Sequence, residues 1–146
     1  MDFIQSKVED LCKKYGTRNP FELANFLKIN VIHWDLHYEI NGFYLYEKRN
    51  QIIFLNNNLS YEDQRVVCAH ELGHAVLHKH SSVPFMRAKT LFSIDKIEIE
   101  ANKFSAFLLI PDESLFDSYE QLTIYDIAAL HNVPVELAEL KYKGLF

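Results

Sequence analysis

Apolar residues recur with helical spacing at the start of the chain, from about residue 2 to residue 14. Asn19 and Pro20 then fit an N-cap followed by proline at the first helical position, which predicts a second, short helix over residues 21–28. The first stretch mixes charged and apolar residues without a continuous hydrophobic run. It therefore predicts an amphipathic helix rather than a signal peptide.

Strand patterns follow the two predicted helices. β-branched and aromatic residues at positions 31–34 indicate one strand, and β-rich runs at 42–46 and 51–56 flank the polar segment 47–50 and predict a hairpin. An extended peptide could add to the run at 51–56 if that strand lay at a sheet edge. A fully paired core strand is the favoured interpretation.

The second half of the chain is dominated by helical patterns. Ser60 occupies an N-cap position with Asp63 three residues later, and residues 80–93, which contain serines and a proline, are typical of a loop. The predicted helices run from 61 to about 79, from about 95 to 109, from 124 to 131 and from 134 toward 142. This order favours an α+β fold, in which a small antiparallel sheet containing the hairpin packs against a buried helix and further helices.

Length and charge limit the classes of partner. The chain has 146 residues, which fits a single domain over 1–146, and its formal net charge at pH 7 is -5. A protein that binds nucleic acid directly usually carries a basic face to replace phosphate counterions, so we expect no direct nucleic-acid binding. No apolar run approaches the length of about 20 residues that a membrane helix needs. We therefore expect no membrane association and a cytoplasmic location.

Cys12 and Cys68 are the two cysteines of the chain. Without an export signal, a pair of buried or half-buried thiols is a better interpretation than a disulfide.

The strongest chemical signal is the run His70-Glu71-Leu-Gly-His74. On a helix, residues four apart are separated by one turn, so both imidazoles can reach one metal ion. Zinc suits such a site because it accepts imidazole and carboxylate ligands and keeps a position open for water. Glu71 lies about 100° around the helix from His70 and could take a proton from that water.

The surroundings of the motif strengthen the zinc interpretation. Glu71 is the single formally charged residue between Val66 and Leu77, and the rest of this stretch is largely apolar. A helix that is apolar nearly all round is buried, and a lone buried carboxylate is costly unless something compensates it. The alternative is a buried helix whose two histidines are simply hydrogen-bonded in the core.

A catalytic zinc site needs a third protein ligand, and the histidines that follow the motif are weak candidates. His80 has the spacing of the longer HExxHxxGxxH motif, but Leu77 occupies the position where that motif needs glycine. His78 lies one turn after His74 and fits a helix-end or surface residue, although it could approach the site.

Glu98 and Glu100 are the better candidates for the third ligand. Glu98 flanks the apolar stripe of its predicted helix on a side without other charges, whereas Glu100 lies beside two lysines that could pair with it at the surface. Asn102, one turn after Glu98, could hydrogen-bond a ligating histidine. Glu98 could instead complete a capping box with Asp95. The helix faces favour Glu98 and leave Glu100 open.

The two segments VVCAHELGHAVLH and IEIEANKFSAFLLIP together resemble the ImmA/IrrE family of metallopeptidases, the M78 class. The family pattern is HExxH, a variable loop, a glutamate four residues before Asn or Asp, and a helix that ends in Leu-Leu-x-Pro. The likeness extends loosely from the Asn19-Pro20 helix to Val135. Phe107 and Ile110 depart from the residues common in the family, and neither belongs to the proposed chemistry.

The resemblance implies one zinc ion held by His70, His74 and Glu98, with Glu71 as the general base of a metallopeptidase. It also implies a minimal catalytic unit that cleaves a helix-turn-helix repressor of a phage or mobile element, and thus acts as an anti-repressor. The alternative is a metal-stabilised interaction module that binds a repressor without cutting it.

Tyr44, Tyr46 and His131 are available to stabilise an oxyanion, but the sequence selects none of them.

Overall fold

The computed structural model describes residues 2–81, 83–87, 95–112 and 122–142, with the backbone alone for 83–87. Six helices and four strands lie in these ranges. The helices are α1 (Phe3–Tyr15), α2 (Pro20–Phe26), α3 (Tyr61–Leu77), α4 (Lys96–Leu109), α5 (Ile124–His131) and α6 (Val135–Tyr142). The strands are β1 (Asn30–Trp34), β2 (Ile40–Glu47), β3 (Asn50–Asn56) and β4 (Val83–Arg87).

Side-chain caps fix where the first three helices begin. The Asp2 carboxylate accepts a 2.7 Å hydrogen bond from the backbone N–H of Ile4 at the start of α1. The predicted caps Asn19 and Ser60 accept from the first turns of α2 and α3, respectively. Each cap satisfies N–H groups that have no partner within their own helix. The N-terminal ends of α2 and α3 were therefore correctly predicted.

The sheet has the strand order β1-β3-β2-β4 and is mixed rather than purely antiparallel as predicted. The β2–β3 hairpin is antiparallel, as predicted, but β1 pairs with β3 in parallel. The chain crosses the end of the sheet between β1 and β2, and the buried Asn56 side-chain amide donates to the carbonyls of Leu36, His37 and Ile40 in this crossing. The hairpin pattern could not reveal this crossing. Since β3 is paired on both sides, the interpretation of 51–56 as a paired core strand is confirmed.

The predicted loop over residues 80–93 contains a strand, which corrects that part of the prediction. β4 pairs with β2 in an antiparallel but irregular register, with shifts on either side of Gly42. Irregular pairing of this kind leaves no strict alternation of apolar and polar residues for a sequence pattern to reveal. Residues 82 and 88–94 of the predicted loop lie outside the described residues.

α3 occupies the centre of the fold. It packs on β2 and β3 on one side and on α4 on the other, while α1 and α6 cover α4. Ten consecutive residues, Val66 to Ala75, are buried. The structure confirms the α+β fold and the predicted burial of the helix that carries the HExxH motif.

Positively charged side chains donate to carbonyl groups at the C-terminal ends of two helices, α4 and α5. Arg18 donates to the carbonyls of Phe107 and Leu108 in α4 at 3.0 and 3.1 Å and forms a two-pronged ion pair with Glu9 of α1. Arg65 donates to two carbonyls that end α5, and Lys141 donates to the carbonyl of Ile110 after α4. The Arg18 and Lys141 contacts help to hold α4 in place, because the last carbonyls of a helix lack internal partners.

Both cysteines are buried and free. Burial raises the pKa of the Cys12 thiol and that of the Cys68 thiol. The prediction of two buried thiols without a disulfide is confirmed. None of the helices within the described ranges has the length and apolarity required to cross a membrane.

We predict that Arg18→Met lowers the free energy of unfolding by about 1.5–3 kcal/mol, the usual worth of hydrogen bonds to a charged group. Urea unfolding followed by circular dichroism measures the change. Lys7→Met, an exposed substitution on the same helix as Glu9, is the control and should change the value by less than about 0.5 kcal/mol. Equal stability of the two variants would show that Arg18 does not hold α1 to α4.

Candidate metal centre

His70 and His74 lie one turn apart on α3, and Glu98 lies in the first turn of α4. Glu98 Oε2 is 3.1 Å from His70 Nε2, and Glu98 Oε1 is 2.8 Å from His74 Nε2. One ligand atom from each of the three residues lies within 4.8 Å of the others. The structure therefore brings together the three residues that the sequence analysis selected.

The contact between His74 and Glu98 is not an ordinary hydrogen bond. Although the two atoms are 2.8 Å apart, neither His74 Nε2 nor Glu98 Oε1 has a hydrogen-bond partner among the described residues. Buried polar atoms are normally paired, and an unpaired one costs about 1–3 kcal/mol. A cation between the atoms would satisfy both, so the donor set fits a metal ion.

A glycine on α3 permits α4 to come this close. A Cβ added to Gly73 would lie 3.1 Å from Phe104 Cβ and 3.2 Å from Ala101 Cα. Glycine in the middle of a helix costs up to about 1 kcal/mol relative to alanine, so packing rather than helix propensity explains this residue. The contact sets the separation of the two helices just beside the histidines and Glu98.

Asn102 orients His70. Its Oδ1 lies 2.7 Å from His70 Nδ1, and both side chains are buried. An amide oxygen can only accept, so His70 Nδ1 carries a proton, and in neutral His70 the lone pair of Nε2 is then available to a metal ion. This is the role that the spacing of Glu98 and Asn102 predicted. Asp95 begins α4 without a side-chain cap, and Glu98 is directed to the histidines rather than to a capping box.

Glu71 is fully buried beside the cluster, and neither of its carboxylate oxygens has a hydrogen-bond partner among the described residues. Burial raises the pKa of Glu71 to about 8; the electrostatic interaction with His74 opposes this rise, and the interaction with Glu98 adds to it. An isolated buried carboxylate is unfavourable, and a nearby cation reverses that penalty.

The pKa of Glu98 is shifted in the opposite direction. Burial alone would raise its pKa, but the contacts with His70 and His74 outweigh burial and lower the pKa to about 2. Two neighbouring carboxyls thus have their pKa values pushed in opposite directions. Such divergence is common where one carboxyl binds a charge and the other exchanges a proton.

Of the residues weighed against Glu98, His78 approaches His74, with 3.1 Å between their Nδ1 atoms, and His80 and Glu100 lie outside the cluster. His80 is exposed and places its ring edge-on to Tyr46, with ring centroids 4.8 Å apart. Glu100 does not join the cluster, and its Oε1 lies 2.9 Å from Nε2 of His78. This contact was not predicted, because the two lysines near Glu100 in the sequence offered it surface ion pairs.

Tyr44, one of the candidates for oxyanion stabilisation, has a structural role. It is fully buried, its hydroxyl donates to the carbonyl of Lys79 at 2.5 Å, and Gln51 Nε2 donates to the same hydroxyl at 2.9 Å. These bonds tie the sheet to the end of α3.

A cavity of about 290 Å³ lies beside His70. Apolar side chains of α3 and α6 form much of its wall, and Asn102 and the buried Ser105 contribute polar atoms from α4. A concave, largely apolar space with a few polar groups is the usual form of a binding site.

We predict that Gly73→Val separates α3 from α4 and weakens metal binding at this site by at least about 100-fold, because ligand positions tolerate errors of well under 1 Å. Gly73→Ala, which requires a shift of only a few tenths of an ångström, should have a smaller effect. Competition with a chromogenic chelator measures both affinities. Wild-type affinity in the valine variant would disprove this role of Gly73.

Comparisons with known proteins agree with the geometry. The family model described as the IrrE N-terminal-like domain, peptidase M78, matches residues 24–143. The chain is 51% identical over 140 residues to "Uncharacterized immunity region protein 2" of Bacillus phage phi105, covering 94% of this chain and 88% of that protein. It is 30% identical over 141 residues to "Metallopeptidase ImmA" of Bacillus subtilis (strain 168), covering 94% and 83%. The family model covers most of the chain, and His70, His74 and Glu98 meet in the structure. This chain therefore belongs to the M78 peptidase family, whose model is named for the IrrE N-terminal-like domain.

Proposed function

We propose that the protein is a zinc-dependent endopeptidase in which His70, His74 and Glu98 hold one zinc ion and Glu71 is the general base. The observation that carries this proposal is the buried, unpartnered carboxylate of Glu71 next to the three converging ligand atoms. A metal site with a purely structural role would need only its ligands, because a second buried carboxyl without a partner destabilises the fold.

The donor set favours zinc over harder cations. Two imidazoles and one carboxylate are typical of catalytic zinc sites with an open fourth position, whereas Mg²⁺ and Ca²⁺ prefer sites made of oxygen atoms. When bound, zinc would polarise the scissile carbonyl and lower the pKa of the attacking water.

The residues of the chain then have distinct tasks. Glu71 takes a proton from the water molecule as the water oxygen attacks the carbonyl carbon. Glu71 then returns a proton to the amide nitrogen as the C–N bond breaks. Asn102 holds His70 in the tautomer that leaves Nε2 free.

The proposed substrate is a helix-turn-helix repressor of a phage or mobile element. Support comes from the names of two relatives, an immunity region protein of a phage and a metallopeptidase. The net charge of -5 disfavours direct binding to DNA and is compatible with a basic, DNA-binding protein partner. Such a substrate places the proposed activity in the cytoplasm.

We predict that zinc stabilises the protein through Glu98. At a free zinc concentration 100 times the dissociation constant, the free energy of unfolding should rise by about 2.7 kcal/mol. Glu98→Ala should abolish this increment, whereas Glu62→Ala, at the exposed start of α3, should keep it. Thermal unfolding with and without zinc measures the increments. A full increment in Glu98→Ala would remove Glu98 from the ligand set.

We predict that Glu71→Gln retains zinc and fold but cleaves about 10²–10⁴-fold more slowly, the usual contribution of a general base. The purified protein is incubated with a candidate helix-turn-helix repressor of a phage or mobile element, and intact mass spectrometry detects discrete fragments. A chelator should also prevent their formation in the wild-type protein.

The same variant separates the proposal from the alternative, a metal-stabilised module that binds a repressor without cutting it. If wild-type protein binds the repressor and leaves it intact, or if Glu71→Gln releases the repressor from DNA as well as wild type does, the peptidase proposal fails.

A further inference from the structure

His78 lies between the proposed metal ligand His74 and the carboxylate of Glu100. It is the C-cap residue of α3, and its backbone N–H donates to the carbonyl of His74 at 2.7 Å. Its side chain is only 9% exposed; its Nδ1 lies 3.1 Å from His74 Nδ1, and its Nε2 lies 2.9 Å from Glu100 Oε1. The three side chains form a continuous chain of contacts that leads away from the metal centre.

The chemistry of the imidazole ring fixes the direction of these contacts. A neutral imidazole has one donor nitrogen and one acceptor nitrogen. If His74 binds zinc through Nε2, its Nδ1 carries the proton and donates to Nδ1 of His78. Then Nε2 of His78 carries a proton and donates to Glu100, so that every contact has one donor and one acceptor.

The opposite tautomers do not fit Glu100. A proton on Nε2 of His74 would make its Nδ1 an acceptor, and His78 would have to donate from Nδ1. Neutral His78 would then present a bare Nε2 to Glu100, with two acceptors 2.9 Å apart. With His78 neutral, the carboxylate therefore favours the tautomer of His74 that leaves Nε2 free for a metal.

His70, the other proposed histidine ligand, is also held with its proton on Nδ1, but by a different residue. Asn102 Oδ1 accepts from Nδ1 of His70 at 2.7 Å, as Nδ1 of His78 would accept from Nδ1 of His74. Ligating histidines generally donate their second N–H to an acceptor that fixes ring orientation. Each proposed histidine ligand thus has its own acceptor.

We propose that His78 and Glu100 are positioning residues, which hold His74 in the ring orientation and tautomer that bind zinc. This inference rests on the proposed function, because it takes His74 as a zinc ligand. It assigns a role to two residues that the proposed reaction does not otherwise use, and the role requires a hydrogen-bond acceptor rather than a histidine as such.

This requirement gives a sharp test, because Asn Oδ1 and His Nδ1 are both bonded to Cγ and can accept from the same direction. His78→Leu should weaken zinc binding about 10–100-fold, the usual effect of losing such a partner. His78→Asn should bind zinc within about threefold of wild type. Glu100→Ala should fall between these two variants, and the exposed His80→Leu is the matched control without effect.

Zinc affinity is measured by chelator competition, and thermal unfolding of the zinc-free variants shows whether each one folds. A folded His78→Leu protein with wild-type affinity would overturn the proposal, as would equal losses in His78→Leu and His78→Asn. If wild-type protein itself does not bind zinc, the proposed function fails, which is a distinguishable outcome.

The tautomers provide a second measurement that does not depend on substitutions. In zinc-loaded protein, ¹⁵N-edited NMR of the imidazole rings should show His74 protonated at Nδ1 and neutral His78 protonated at Nε2. A His78 ring protonated at Nδ1, alone or together with Nε2, would overturn the proposed direction of the contacts.

Discussion

The close approach of α3 and α4 is the constraint on which the site depends. His70 and His74 come from one helix and Glu98 from the other, so their meeting requires a fixed separation of the two helix axes. Gly73 permits that close approach, and Arg18 ties the end of α4 to α1. Because α3 is buried on both sides, the sheet and the other helices act mainly to hold this pair in register.

Burial has opposite consequences for the two carboxyls at this interface. Glu98 lies between two imidazoles and keeps its charge, whereas Glu71 has no partner among the described residues and a raised pKa. A protein that needed only stability would fill such a position with an apolar side chain. The cost of keeping Glu71 is therefore a sign of chemistry at this point, and the family to which the chain belongs is one of peptidases.

Much of the fold and of the site could be predicted because the relevant patterns are local. Asn19 and Ser60 mark helix starts through hydrogen bonds to residues two or three positions away, and the HExxH spacing places two imidazoles on one helix face. Glu98 could be selected because an uncharged helix face leaves an acidic residue without a surface partner. That the chain is one domain stays a prediction.

The features that were missed depend on contacts between distant parts of the chain. The parallel pairing of β1 with β3 follows from a crossing at the end of the sheet, and β4 pairs too irregularly to leave a pattern. Glu100 reaches His78 across the α3–α4 interface, and this contact depends on the packing distance rather than on spacing along either helix. Such contacts can be found only once the elements are placed.

The buried thiols of Cys12 and Cys68 limit the ways in which the proposed peptidase activity could be controlled. A buried thiol with a raised pKa holds little thiolate, the form that oxidants and alkylating agents attack. Oxidation of Cys12 or Cys68 is therefore a poor candidate for an on-off signal in this protein. Because the three candidate ligand residues are already assembled inside the fold, control of the proposed activity would act on access to the site rather than on its assembly.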